Sequence, residues 1–163
     1  MPCFDKYIAL STSQDIEQTL VESHNHLIQT ILPLTEDQMM YKYEEKKWSI
    51  KDLLQHMIDT ERVFAYRAMR FARNDKTELP GFDENEFTEK AGADQKSKEQ
   101  LLNEYIAVHK ATIMFYNTLS EEALARKGRA SGNEFSLINI AHIIAGHIQH
   151  HLSIIEERYL PNI

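Results

Sequence analysis

Histidines are concentrated in one short stretch near the end of the chain, GHIQHH, at residues 146–151. Residues four apart lie on the same face of a helix, so His147 and His151 can bind one ion from the same side. A helical wheel places both rings on the apolar side of this segment, which carries Ile140, Ile144 and Ile148. We therefore expect the two imidazoles to point inward as a metal-binding pair.

A third ligand is needed, because two neutral nitrogens alone leave an ion mostly to water. His56 is the best candidate, since it follows Leu53 and Leu54 on another helical segment and lies at the edge of that segment's apolar face. Facing helices of a bundle commonly assemble a metal site from such positions. The predicted ligand set is His56, His147 and His151.

His109 shows why spacing alone does not settle a ligand set. It lies centrally on a further helical segment, which also carries Leu102, Ile106 and Ile113. It could be a fourth ligand, a substrate contact or a packed residue. A histidine on an apolar face is more often hydrogen-bonded at the rim of the core than a ligand, and a pair four residues apart also arises by chance.

An ion held by three histidines keeps further coordination positions open, which is typical of a catalytic site. Such an ion activates water, or turns a coordinated thiol into a nucleophilic thiolate. Imidazole ligands suit zinc, nickel, copper and iron, and we expect zinc first and nickel second.

Three charged residues on the His56 segment are candidates for a supporting role. Asp52 and Asp59, at i−4 and i+3 from His56, are within reach of its ring and could orient it. Arg67 lies further along the same strip and could contact an anionic substrate group. The alternatives are that both acids are solvated on the flank of the helix and that the arginine extends to solvent.

Helical periodicity dominates the chain and predicts four long helices. Ser49 and Ser97 each precede a suitable partner by three residues, Asp52 and Gln100, as in a capping box. The predicted helices run from about Ser13 to Ile31, from Ser49 to Asn74, from Ser97 through Tyr116, and from Ser136 to near Pro161.

The connections complete the fold prediction. The link from Asn74 to Lys96 contains LPGFDENEF, which is too rich in Pro, Gly and acids to be helical throughout and is expected to cross the bundle. The segment GRASGNEF is predicted to be a loop. The predicted fold is an all-α four-helix bundle with a long crossover between helices 2 and 3, in a single domain over residues 1–163.

Composition narrows the classes of partner. The 163 residues suit one domain, and 42% hydrophobic with 26% charged residues is ordinary for a soluble protein. A net charge of −7 disfavours nucleic acid or a membrane surface as partner. The single cysteine, Cys3, excludes an internal disulfide, and no signal or membrane-spanning pattern is present. We therefore expect a cytoplasmic protein.

Three segments carry a family resemblance. WSIKDLLQHMIDTERVFAYRAMR from Trp48, the acidic LPGFDENEF link and AGHIQHHLSII resemble the DinB-like superfamily of bacterial bundle proteins over most of the chain. The most specific parts are the Trp-Ser start of the second helix with its histidine and the His-x-x-x-His of the fourth. The resemblance implies a divalent metal bound by one histidine of the second helix and two of the fourth, which here are His56, His147 and His151.

The resemblance also implies classes of activity. It implies a metal-dependent transferase that uses a low-molecular-weight thiol such as bacillithiol or mycothiol, or a related isomerase. Our leading hypothesis is a homodimeric metal-dependent enzyme, of thiol S-transferase or hydrolase type, that acts on a small molecule. The alternatives are a non-catalytic metal-binding or stress-response module with a closed coordination sphere, and a metal-free helical interaction protein.

Overall fold

The computed structural model describes residues 2–11 and 13–163, but only the backbone of Pro2 and Cys3. The α-helices of the described part are α1 (Pro2–Ile8), α2 (Ile16–Ile31), α3 (Glu36–Met39), α4 (Ile50–Ala72), α5 (Glu84–Lys90), α6 (Lys98–Asn117), α7 (Glu121–Leu124) and α8 (Leu137–Ile154). A hairpin of β1 (Lys127–Ala130) and β2 (Asn133–Ser136) precedes α8, and a π-helical turn (Ile155–Tyr159) follows it.

Two of the long helices begin where their capping boxes predict. Ser49 accepts a hydrogen bond from the backbone N–H of Asp52, whose carboxylate accepts from the backbone N–H of Ser49 at 2.9 Å. Ser97 and Gln100 exchange the same two bonds at the start of α6. Each pair satisfies N–H groups that the first turn of a helix leaves without partners.

The first long helix begins later than predicted. It was predicted to run from about Ser13, but α2 starts at Ile16 and Asp15 is its N-cap, with a carboxylate that accepts from the backbone N–H of Gln18 at 2.8 Å. Ser13 instead accepts a hydrogen bond from the backbone N–H of Asp15 at 3.1 Å. Aspartate carries a full negative charge at the positive end of the helix dipole, which favours it over serine as the cap.

The helices α2, α4, α6 and α8 form the bundle. Helix α8 packs against α2 and α4, and α6 packs against the same two helices, so the bundle surrounds one apolar core. The predicted all-α four-helix bundle is confirmed. Within the described residues, no helix is at once long enough and apolar enough to cross a bilayer.

The link between α4 and α6 is the predicted long crossover. Gln55 lies beside Glu104 and Glu61 beside His109, so the two helices run in the same direction. The chain must therefore return along the whole bundle between them, and it does so over residues 73–97, which include α5. The crossover between the second and third long helices is thus confirmed.

Helix α8 runs antiparallel to α4. The phenol of Tyr159, just beyond α8, donates to the carbonyl oxygen of Trp48, just before α4, at 2.7 Å. The end of α8 therefore lies beside the start of α4, which brings the histidines of the two helices to the same level.

The segment GRASGNEF was predicted to be a loop, and the structure corrects this to a hairpin. Its tight turn is made by Ser131 and Gly132, with φ angles of 51° and 74°. The hairpin is tied to the crossover, because Ser131 donates its backbone N–H to Leu79 at 2.9 Å and Leu79 donates to Arg129 at 3.0 Å. Strands this short carry too little alternation to be distinguished from a loop in sequence.

Candidate metal centre

Three imidazoles from α4 and α8 converge in the bundle interior. The Nε2 atom of His147 lies 3.0 Å from Nε2 of His56 and 3.0 Å from Nε2 of His151. Each histidine offers one nitrogen to a group whose members all lie within 4.8 Å of one another. The structure thus brings together the three histidines that the sequence singled out.

The separations fit a shared ion. Two nitrogens that each lie about 2.05 Å from one ion are roughly 2.9–3.4 Å apart when they subtend about 90–110° at it. Hydrogen bonds alone do not explain the cluster. The Nε2 atom of His147 can donate or accept one hydrogen bond, but the Nε2 atoms of His56 and His151 lie at the same distance from it. One cation satisfies all three lone pairs together.

The histidines are held neutral by their surroundings. Burial lowers the pKa of His56 to about 4, against a smaller opposing effect of Glu84. Burial and the neighbouring imidazoles lower the pKa of His151 to about 3 and that of His147 well below its ordinary value. At pH 7 the three nitrogens are therefore unprotonated, which is the state that a metal requires.

Packing fixes the orientation of the rings. The indole of Trp48 lies 4.8 Å from the ring of His56, and the Tyr7 ring meets that of His147 edge-on at 5.3 Å. The Nδ1 atom of His151 is buried without a hydrogen-bond partner among the described residues. This differs from most metal-binding histidines, whose second nitrogen donates to a carboxylate or carbonyl.

Asp52 and Asp59 do not contact the His56 ring by hydrogen bonds. The carboxylate of Asp52 accepts from the backbone and hydroxyl of Ser49 in the capping box, at 2.9 and 2.8 Å. That of Asp59 accepts from Gln55 at 3.0 Å and lies near Arg62. Both acids thus serve the start and the flank of α4.

His109 lies in a different part of the core, between α2, α4 and α6. Its Nδ1 contacts Glu61 Oε2 at 2.9 Å, and its Nε2 contacts the carbonyl oxygen of Leu20 at 2.9 Å. Burial acts to lower the pKa of His109, but the charge and hydrogen bond of Glu61 outweigh it and the pKa is raised. Of the three roles considered for His109, the structure favours the packed one, since both nitrogens are already engaged.

A cavity of about 440 Å³ opens beside the three histidines. Its wall continues along α4 through Thr60, Phe64 and Arg67, which helical periodicity already places on the strip of His56. Glu84 of the acidic crossover also lines the cavity. Other lining residues come from elements that the sequence does not connect with the site: Phe4, Tyr7, Gly81, Phe82 and Ser131. No local pattern in the sequence points to these, because the crossover, the hairpin and α1 reach the cavity only through the tertiary fold.

Helix α1 forms one wall of this cavity through a close backbone approach. A Cβ atom on Gly146 would lie 1.8 Å from the carbonyl oxygen of Tyr7, so only glycine permits the contact. The approach places the Phe4 and Tyr7 rings at the cavity, and the Tyr7 ring meets that of His147. The glycine that precedes the histidine pair therefore shapes the site that the pair faces.

Comparison with known proteins supports the bundle assignment. A family model described as the DinB superfamily matches residues 19–155. Among solved structures, YfiT from Bacillus subtilis, described as a probable metal-dependent hydrolase with an unusual four-helix bundle topology, matches with a TM-score of 0.74 and 19% sequence identity. The match covers 97% of this chain and 86% of that chain. A search of curated proteins finds no match.

Proposed function

The chain belongs to the DinB superfamily, and we propose that it is a metal-dependent hydrolase of small molecules whose ion is bound by His56, His147 and His151. One observation carries the proposal: three buried, neutral Nε2 atoms meet, with two contacts of 3.0 Å, beside a cavity of about 440 Å³. The description of the structurally similar YfiT as a probable metal-dependent hydrolase supports the same reaction class.

The residues of the chain prepare this site in two ways. Burial keeps the imidazoles unprotonated, so an ion does not compete with protons at neutral pH. The aromatic rings of Tyr7, Trp48 and Phe64 give the cavity apolar walls, which strengthen electrostatic interactions inside it. A divalent ion bound there supplies Lewis acidity and activates water for attack near neutral pH.

We propose zinc as the ion and nickel as the next candidate, because three imidazoles suit both metals. We propose water as the nucleophile. A low-molecular-weight thiol in its place would make the protein an S-transferase, which forms a conjugate instead of two hydrolysis products.

Metal content tests the ligand set. Untagged protein, purified without a nickel column and incubated with zinc, should hold one ion per chain after desalting, as measured by inductively coupled plasma mass spectrometry. His56→Ala, His147→Ala and His151→Ala should each weaken zinc binding by more than about 100-fold. His150→Ala is the matched control, since its half-buried ring lies next to His151 on α8 but outside the cluster. Unchanged stoichiometry in all three variants would overturn the proposal.

Turnover tests the reaction class. The zinc-loaded protein should hydrolyse members of a panel of chromogenic esters and amides, lose this activity with a chelator and regain it when zinc is restored. His147→Ala should be inactive, and His150→Ala should match the wild type. A parallel reaction with a thiol and an electrophilic dye separates the two nucleophiles, because conjugation without hydrolysis would assign the chain to the transferases.

A further inference from the structure

Arg67 is a buried cation that has no acidic partner in the part of the chain that the structure describes. It is only 2% exposed, and its Nη2 donates to the carbonyl oxygen of Pro80 at 3.0 Å and to the Ser131 hydroxyl at 2.8 Å. Both acceptors are uncharged, and among the described residues no carboxylate forms an ion pair with this arginine. Burying a charge without a counterion costs free energy, so we expect the Arg67 guanidinium to have a functional role.

The guanidinium belongs to the same cavity as the three histidines. Arg67 lines that cavity, and its guanidinium lies 4.9 Å from the centre of the Phe64 ring. Its Cα is roughly 16 Å along the helix axis from that of His56, and helical side chains lean toward the N-terminus, which here means toward His56. The cavity thus has a histidine cluster between α4 and α8 and a cation further along α4.

The free donors of Arg67 suit an anion. Two described hydrogen bonds occupy Nη2, whereas Nε and Nη1 make none with the described residues. Glu84 is the one acidic residue among the described residues of the cavity wall, and it raises the pKa of His56 against the effect of burial. No such effect reaches Arg67, whose pKa is lowered by burial alone.

We infer that Arg67 binds a carboxylate of the substrate. Most of the other residues that line the cavity are apolar or aromatic: Phe4, Tyr7, Trp48, Phe64, Phe82 and Ile143. The substrate class that fits is a small carboxylic acid with an apolar body, whose ester or amide bond lies at the histidine end. Among the described lining residues Arg67 is the only arginine or lysine, so it balances the single charge of a carboxylate but leaves a phosphate dianion partly uncompensated. The inference rests on the proposed function for the choice of the bond that is broken.

The chain's one tryptophan provides the readout, because Trp48 itself lines the cavity. Benzoate is titrated into the metal-free full-length protein at pH 8 while tryptophan fluorescence is recorded, and the neutral isostere benzamide is titrated in parallel. The wild type should bind benzoate in preference to benzamide. Arg67→Gln should weaken benzoate binding by about 10- to 100-fold and remove the preference. The matched control, Arg73→Gln, removes an equal charge at the exposed end of α4 and should match the wild type.

A further variant and a further ligand distinguish a substrate-binding role of Arg67 from a structural role. Arg67→Lys keeps the charge and should retain part of the preference for benzoate over benzamide. This result is not expected if Arg67 serves only to hold Pro80 and Ser131 in place. If Arg67→Gln fails to fold, the benzoate preference of the wild type and Arg67→Lys decides the question. Equal binding of benzoate and benzamide by the wild type, or tighter binding of inorganic phosphate than of benzoate, would overturn the inference. These titrations use metal-free protein, so either result is independent of metal binding. The zinc stoichiometry of His147→Ala tests the metal site separately.

Discussion

Two groups of buried histidine differ in what surrounds them. His56 and Glu61 both lie on α4, five residues and therefore roughly 140° apart, so they face different parts of the core. On one side, His56 meets two other imidazoles, and no acid of the described part of the chain lies within hydrogen-bond distance of it. On the other, Glu61 and a backbone carbonyl occupy both nitrogens of His109.

The difference lies in the partners, since burial is similar on both sides. His56 is 7% exposed and His109 is 0% exposed. Burial lowers the pKa of His56 to about 4 against only a weaker opposing effect of Glu84, whereas the hydrogen-bonded Glu61 raises the pKa of His109 despite its burial. A buried histidine thus becomes a candidate ligand when its neighbours leave its lone pair free, and a structural cation when an acid accompanies it.

The largest expected difference is in stability. His109→Ala leaves the Glu61 carboxylate buried without its partner and should lower the free energy of unfolding by about 3–5 kcal/mol. In metal-free protein, His147→Ala should cost less, because it leaves no charge without a partner. Urea unfolding at pH 7 measures both. Equal losses in the two variants would contradict the distinction between the two groups.

A saturating metal should stabilise the folded protein through the cluster of His56, His147 and His151 and not through His109. Zinc at about 100 times its dissociation constant should raise the free energy of unfolding of the wild type by about 2.7 kcal/mol. The increase should vanish in His147→Ala and persist in His109→Gln, since His109 lies outside the cluster. Thermal unfolding with and without zinc measures it, and a stabilisation that depends on His109 would show that the two groups act as one site.

The next effect is a pH dependence carried by His109. Its folded pKa lies above the unfolded value of 6.5, so its stabilising contribution is complete below pH 6.5 and is lost as the pH rises through the folded pKa. The charged or titratable groups around it are Glu61, His24 and Tyr105. The stability difference between wild type and His109→Gln, from urea unfolding at pH 5.5–9, should therefore shrink with rising pH. A constant difference would mean that His109 is neutral in the folded protein.

The smallest expected effect concerns Asp52, which lies one turn before His56. As a capping residue it should contribute about 0.5 kcal/mol at the start of α4. Asp52→Ala should therefore lower stability slightly in urea unfolding while zinc affinity stays within about twofold of the wild type. A tenfold loss of affinity, typical of a residue that orients a metal ligand, would place this acid with the histidines instead.

Asp52 also shows what could be predicted from the sequence. Both its position in a capping box with Ser49 and its reach toward His56 are visible in the spacing, and they compete for one carboxylate. The structure resolves the competition in favour of the cap, because the N–H and hydroxyl of Ser49 lie within 2.9 Å of it. The starts of α4 and α6 and the faces of His56, His147 and His151 were predictable because capping boxes and helical periodicity are local patterns.

Contacts between distant parts of the chain were not predictable in the same way. Nothing near His109 in the sequence indicates Glu61, which lies 48 residues earlier and meets it only because α4 and α6 are parallel. The close approach of Tyr7 to Gly146 likewise depends on the docking of a seven-residue helix, which is too short for a clear periodic signal. Such pairs are set by the tertiary arrangement and not by spacing.

The separation of His56 and His147 by 91 residues bears on the order of assembly during synthesis. Helices α2, α4 and α6, with the Glu61 pair between them, emerge from the ribosome before α8 and can meet first. The histidine cluster cannot exist until the last long helix has docked into the groove left for it. Premature termination before α8 would therefore yield a nascent chain with an exposed apolar groove and no binding centre, a natural substrate for chaperones.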